Sequence, residues 1–138
     1  MFMLTSIEFR NFLCKESNNK RYNPKAPQLE GIPNDDNFFD LIFLNSVFSH
    51  MLQDDVSFYL DEFYRVLKPG GHVYLTGFIE IDVPPVEENP RGYMGMSGNE
   101  GPLLRVRYDR NYFMSLCHAS GLTPIYFFHR HIKRTGRS

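Results

Sequence analysis

The strongest constraint on this chain lies between residues 38 and 78, where the hydrophobic pattern changes period twice. Residues 38–48 read FFDLIFLNSVF, apolar at nearly every position instead of alternating. Alternation marks a strand with one wet face, whereas a continuous run marks a parallel strand covered by helices on both sides. From Asp54 the period lengthens. Val56, Tyr59, Leu60, Phe63, Val66 and Leu67 recur at spacings of three and four, the stripe of an amphipathic helix. Asp54 and Asp55 are placed to cap it, Lys68 falls where the helix dipole is negative, and Pro69-Gly70-Gly71 stops it. HVYLTGF, residues 72–78, then returns to a strand. Strand, helix, glycine turn and strand again make a right-handed crossover unit, so the sheet is expected to be parallel here.

The flanks carry weaker patterns. Ile7, Phe9, Phe12 and Leu13 fall on one face of a short helix over residues 7–15, with Ser6 as its cap. Residues 16–37 hold three prolines and read as loop, with at most a short strand near Gln28. Residues 80–102, rich in Pro, Gly and Glu without periodicity, read as a long lid or binding loop. Residues 103–108 suit a short strand. Asp109 can cap a helix through Ala119, with Tyr112, Phe113, Leu116 and Cys117 inward and Gly121 closing it. Residues 122–131 read as a final strand and residues 132–138 as a frayed basic tail.

At 138 residues and 42% hydrophobic, the chain fits one domain, 1–138, with its core in residues 25–130. Sixteen acidic against fifteen basic side chains give a net charge of -1, which argues against a nucleic-acid-coating surface. No apolar run approaches the ~20 residues of a membrane helix. Cys14 and Cys117 form no paired motif, and residues 1–10 show no secretory signal, so a reducing cytoplasm is the expected home. His129 and His131 lack a third ligand, so no metal site is expected. Asp54, Asp55 and Glu62 read as a solvated helix face.

The order of motifs, NDDNFFDLIFLNSVFSHM followed by LDEFYRVLKPGGHVYLTGF, resembles the second half of a class I S-adenosylmethionine-dependent methyltransferase. The approach Ile32 to Asp40 matches the family's entry into its fourth strand, and Arg65 to Gly71 matches its RVLKPGG signature. A single KPGG would be weak, but the ordered set is specific. The resemblance implies an α/β, partial Rossmann-like open sheet, mostly parallel, with S-adenosylmethionine bound at the carboxyl ends of the strands. The Gly-rich first loop and the ribose-holding carboxylate have no counterpart before Asp40, so the domain is expected to be truncated on its amino-terminal side. That same absence, with RVLKPGG present, ranks a nicotinamide-dependent oxidoreductase well behind.

Carried over position by position, the resemblance implies cofactor contacts from Gln28 and Leu29 at the adenine, the latter through its backbone N–H. Asn45 and Ser46 would stand at the methionine end. His50, on the pocket side, is the one histidine considered for proton transfer, and no catalytic residue is assigned. Tyr93, Met94 and Met96 could line an acceptor pocket. The expected function is methyl transfer to an unidentified acceptor; the alternative is an inactive module acting in protein interaction. The apolar strand 39–44, left at a sheet edge, should pair with a second copy or a complementing amino-terminal half, be covered by residues 1–30, or cause poor solubility. Binding of S-adenosylmethionine by the isolated chain should be weak.

Overall fold

The computed structural model describes residues 29–92 and 105–128. Its elements are β1 (Phe39–Leu44), a 3-10 turn (Phe48–His50), α1 (Gln53–Val66), β2 (Leu67–Leu75), β3 (Phe78–Glu80), β4 (Val86–Glu88), β5 (Val106–Asp109) and α2 (Arg110–Ala119). Strands β1 and β2 pair in parallel, with Leu41 opposite His72 and Leu44 opposite Leu75. The crossover read from residues 38–78 is therefore present. One open sheet is not: a second sheet of order β3-β5-β4 stands beside the pair, with β3 parallel and β4 antiparallel to β5. The fold is mixed α/β with small, partly parallel sheets. The break falls at Thr76-Gly77, where residues 72–78 divide between β2 and β3 instead of forming one strand.

Apolar side chains of α1 and β1 explain the core. Val56, Tyr59, Leu60, Phe63 and Val66 are fully buried along one face of α1, against Ile42 and Leu44 of β1 and Val106 and Tyr108 of β5. Along β1, however, burial alternates. Leu41 and Phe43 point away from this core and stay 44% and 38% exposed, and Phe43 stacks on Tyr74 of β2 at 5.1 Å. The expected cover on both faces is thus seen on one face among the described residues.

The glycine signature does something other than stop a helix. Helix α1 ends at Val66 and the chain enters β2 directly at Leu67. The register runs from Phe39 opposite Leu67 to Leu41 opposite His72, so extra residues of β2 loop out across Lys68 to Gly71. Gly70 takes φ +79°, a left-handed conformation that favours glycine. A Cβ on Gly71 would stand 2.9 Å from the Lys68 carbonyl oxygen and 3.2 Å from that of Asp40, so only glycine passes. Lys68 reaches Asp40 at 3.0 Å instead of serving the helix end.

Helix boundaries differ in a similar way. Leu52, not an aspartate, is the N-cap of α1; it makes no side-chain cap bond, and Asp54 and Asp55 fall in the first turn. There they favour the positive end of the helix dipole without capping it. In α2 the expectation holds: Asp109 accepts from the Tyr112 N–H at 3.0 Å, and Phe113 and Cys117 are buried. Gly121 at φ +85° ends the helix, with its N–H on the His118 carbonyl and the Leu122 N–H on that of Cys117, the double bond of a Schellman motif.

Two stretches depart from the expected pattern. Residues 80–102 are not irregular throughout, since Val86–Glu88 adds β4 to the edge of β5, joined by the Arg107–Glu87 ion pair. Residues 122–128 form no strand. Pro124 has no N–H to give a ladder, Phe127 is held by the Arg110 guanidinium 5.9 Å from its ring, and Ile125, Tyr126 and Phe128 are exposed. The expected helix over residues 7–15, the strand near Gln28, the loop residues Tyr93, Met94 and Met96, and the tail lie outside the described residues.

Candidate functional site at the carboxyl ends of β1 and β2

Because β1 and β2 run parallel, their carboxyl ends open on the same side of the sheet. Asn45 and Ser46 follow β1 immediately and are both exposed; Thr76 follows β2. One step beyond Leu44 and Leu75, the register sets Asn45 level with Thr76. The Thr76 hydroxyl donates to Asn45 Oδ1 at 3.1 Å and accepts from the Ser46 N–H at 2.8 Å, while the Thr76 N–H donates to the Leu44 carbonyl at 3.0 Å. Ser46 sits at φ +55°, left-handed backbone that a residue with a Cβ adopts only under constraint. The constraint is visible on its far side: Val47, Phe48 and Ser49 are buried. The turn out of β1 is therefore pinned at both ends.

His50 closes the 3-10 turn instead of opening the long helix. It is half-buried and meets Phe78 edge-on at 6.5 Å, a packing contact with the first residue of β3. Leu29 is half-buried with its side chain packed against the core. Gln28 lies outside the described residues. The structure thus brings Asn45 and Ser46 together and adds Thr76, which the sequence reading missed. Residues 72–78 read as one strand with Thr76 inside it, and only the register of β1 against β2 sets Thr76 beside Asn45.

A broad groove also runs beside β2, lined in part by Leu41, Tyr74, Leu75, Met114 and Leu122. Asn45, Ser46 and His50 do not line it, and its walls offer apolar surface more than convergent polar groups. Thr76, at the end of β2, does line it.

At the opposite, amino-terminal end of β1, the RVLKPGG signature holds the approach to the strand. The Arg65 guanidinium bonds both Glu62 carboxylate oxygens at 2.8 and 2.7 Å, and it also donates to the Ile32 and Asn34 carbonyls and to Asp36. Glu62 in turn accepts from the Ile32 N–H at 2.7 Å, so close to the chain that a Cβ on Gly31 would lie 2.8 Å from its oxygen. Glu62 is thus no solvated helix-face residue. The Arg65 hydrogen bond holds its carboxyl below the usual carboxylate range.

Asp55 also departs from the solvated face. It is buried, and its Oδ2 has no hydrogen-bond partner among the described residues. Burial, and then the charge of Asp54, push its carboxyl above the ordinary value. Tyr108 is pushed up chiefly by burial, and its hydroxyl donates to the Met51 carbonyl at 3.2 Å. Cys117 is a free buried thiol pushed up to about 11, which leaves it protonated and inert at neutral pH.

A raised folded-state value means that Asp55 favours the folded state only when protonated, and that this contribution disappears as pH rises through its folded value. Asp55→Asn is expected to stabilise the protein at pH 7 by on the order of 1 kcal/mol, with the gain vanishing on acidification. Urea unfolding of both proteins across pH 3.5 to 7.5 checks this, and a gain that grows toward acid pH would contradict it.

The site thus consists of a parallel βαβ crossover with exposed polar residues at its strand ends. A profile described as a methyltransferase domain matches residues 7–75, half of the chain, from ahead of the described region to the end of β2. The chain belongs to this family, that of the class I S-adenosylmethionine-dependent methyltransferases. No solved structure matches the chain. Among the described residues, no helix is long and apolar enough to cross a membrane and no His, Cys, Asp and Glu cluster suits a metal ion.

Proposed function

We propose that this chain takes part in S-adenosylmethionine-dependent methyl transfer, with Asn45 and Ser46 at the methionine end of the cofactor and His50 beside it. The supporting observation is the exposed Asn45-Ser46 turn at the carboxyl end of β1, inside the family match and held by the Thr76 hydroxyl. The donor chemistry fits that end: a carboxamide and a hydroxyl suit a carboxylate or an ammonium group. S-adenosylmethionine, when bound, supplies an electrophilic methyl on a sulfonium centre. What this chain contributes is binding and orientation, which methyl transfer needs most.

Gln28 and Leu29 are assigned to the adenine side, Leu29 through its backbone. The acceptor is a molecule not yet identified. The Gly-rich turn that would complete the cradle is supplied, in this reading, by a separate amino-terminal polypeptide, and the chain works in the reducing cytoplasm. A second reading, an inactive interaction module, draws support from the exposed Leu41, Phe43 and Tyr74 on the outer face of β1 and β2.

Calorimetric titration of the isolated chain with S-adenosylmethionine tests the first reading. The expected result is weak, saturable binding with a dissociation constant above about 100 μM, since no Gly-rich motif precedes Asp40. Asn45→Ala should weaken it further. Absence of any heat at millimolar cofactor, or binding that Asn45→Ala leaves unchanged, would favour the interaction module.

A further inference from the structure

Among the residues around the strand ends, Thr76 has a geometry out of proportion to its place in the sequence. Its one hydroxyl serves two residues of the neighbouring strand end, accepting from the Ser46 N–H at 2.8 Å and donating to Asn45 Oδ1 at 3.1 Å. Both bonds are exposed to solvent, where each adds little to stability. The turn that they hold is nevertheless strained, with Ser46 at φ +55°. Strain held by bonds that contribute little to folding is a mark of pre-organisation, not of core architecture.

The direction of the bonds decides what is pre-organised. With the hydroxyl proton committed to Oδ1, the Asn45 carboxamide cannot rotate freely, and its Nδ2 donors face away from Thr76. Among the described residues, Nδ2 has no partner. The Ser46 N–H, by contrast, is already used. Of the two residues after β1, Asn45 therefore presents free donors and Ser46 does not present its backbone donor. We infer that Thr76 is a positioning residue that fixes Asn45 as a hydrogen-bond donor to the methionyl carboxylate of the cofactor, an inference that rests on the cofactor reading above.

Two ligands separate this role from a structural one: S-adenosylhomocysteine, which keeps the amino-acid end, and methylthioadenosine, which lacks it. Thr76→Val preserves shape and removes the hydroxyl, while Thr76→Ser restores it. In Thr76→Val, S-adenosylhomocysteine should lose about tenfold in affinity and methylthioadenosine less than twofold, with Tm lowered by no more than about 2 °C. Amide exchange at Ser46, followed by NMR without ligand, should rise at least tenfold, and Thr76→Ser should recover both readouts.

Equal losses for the two ligands, or unchanged exchange at Ser46, would overturn the inference. If neither ligand binds the wild-type chain while Ser46 exchange still depends on the hydroxyl, the cofactor reading falls and takes the carboxylate role with it, leaving Thr76 as a lock on the turn alone. The exchange arm keeps these two failures apart.

Discussion

Phe48→Ala is expected to cost about 3–5 kcal/mol of folding stability, the largest single effect anticipated for a residue near the site. Phe48 is 1% exposed, stacks on Phe63 of α1 with centroids 5.8 Å apart, and meets Phe113 of α2 edge-on at 6.4 Å. Truncation to Ala leaves a cavity between two helices that cannot both move inward. It also releases the buried end of the strained Ser46 turn, so the Asn45-Thr76 arrangement should loosen even in molecules that remain folded. Urea unfolding of Phe48→Ala and Phe48→Leu measures both size and cause. Phe48→Leu should keep more than half of the lost stability, and a cost under 1 kcal/mol for Phe48→Ala would show that the turn is not anchored as described.

Arg65→Ala should follow with a loss of about 2–3 kcal/mol at neutral pH, because it strips a half-buried carboxylate of its partner and frees two backbone carbonyls. Arg65→Lys should lose most of the same amount, since an ammonium group cannot replace a fork that reaches Glu62, Ile32 and Asn34 together. The pH dependence has a definite sign. Glu62 is held below the ordinary carboxylate range, so its contribution is full above that range and is lost as pH falls through the folded-state value. The difference between wild type and Arg65→Ala should therefore shrink on acidification. A difference that is constant from pH 7 to pH 3 would remove Glu62 from the account.

The sequence made the crossover legible because period and punctuation agreed there. The continuous run of residues 38–48 read as strand and the three-four spacing from Val56 to Leu67 as helix, and parallel pairing of the flanking strands follows from connecting them. What it hid depended on contacts between distant positions. Glu62 looked like surface until its carboxylate met the Ile32 N–H thirty residues earlier. Asp55 reads like Asp54, yet one is buried and the other exposed, a difference that arises only when α1 packs against β5. Pro69-Gly70-Gly71 announced a turn correctly but not that the turn would sit inside a strand pairing as an outward loop. Asp109 was legible because a cap is a local bond three residues long.

Site residues followed the same division. Asn45 and Ser46 take their strand-end place from the family resemblance, whereas Thr76 needed the register of two strands to become their partner. Leu29 had no local pattern to assign it, and the structure gives its side chain to the core.

An amide-by-amide NMR titration of the wild-type chain with S-adenosylhomocysteine tests the central claim most directly. The expected result is a saturable perturbation of residues 44–50 and of Thr76, at the two strand ends. Perturbation centred instead on Leu41, Phe43 and Tyr74, or none at millimolar ligand, would contradict the assignment of these strand ends to the cofactor.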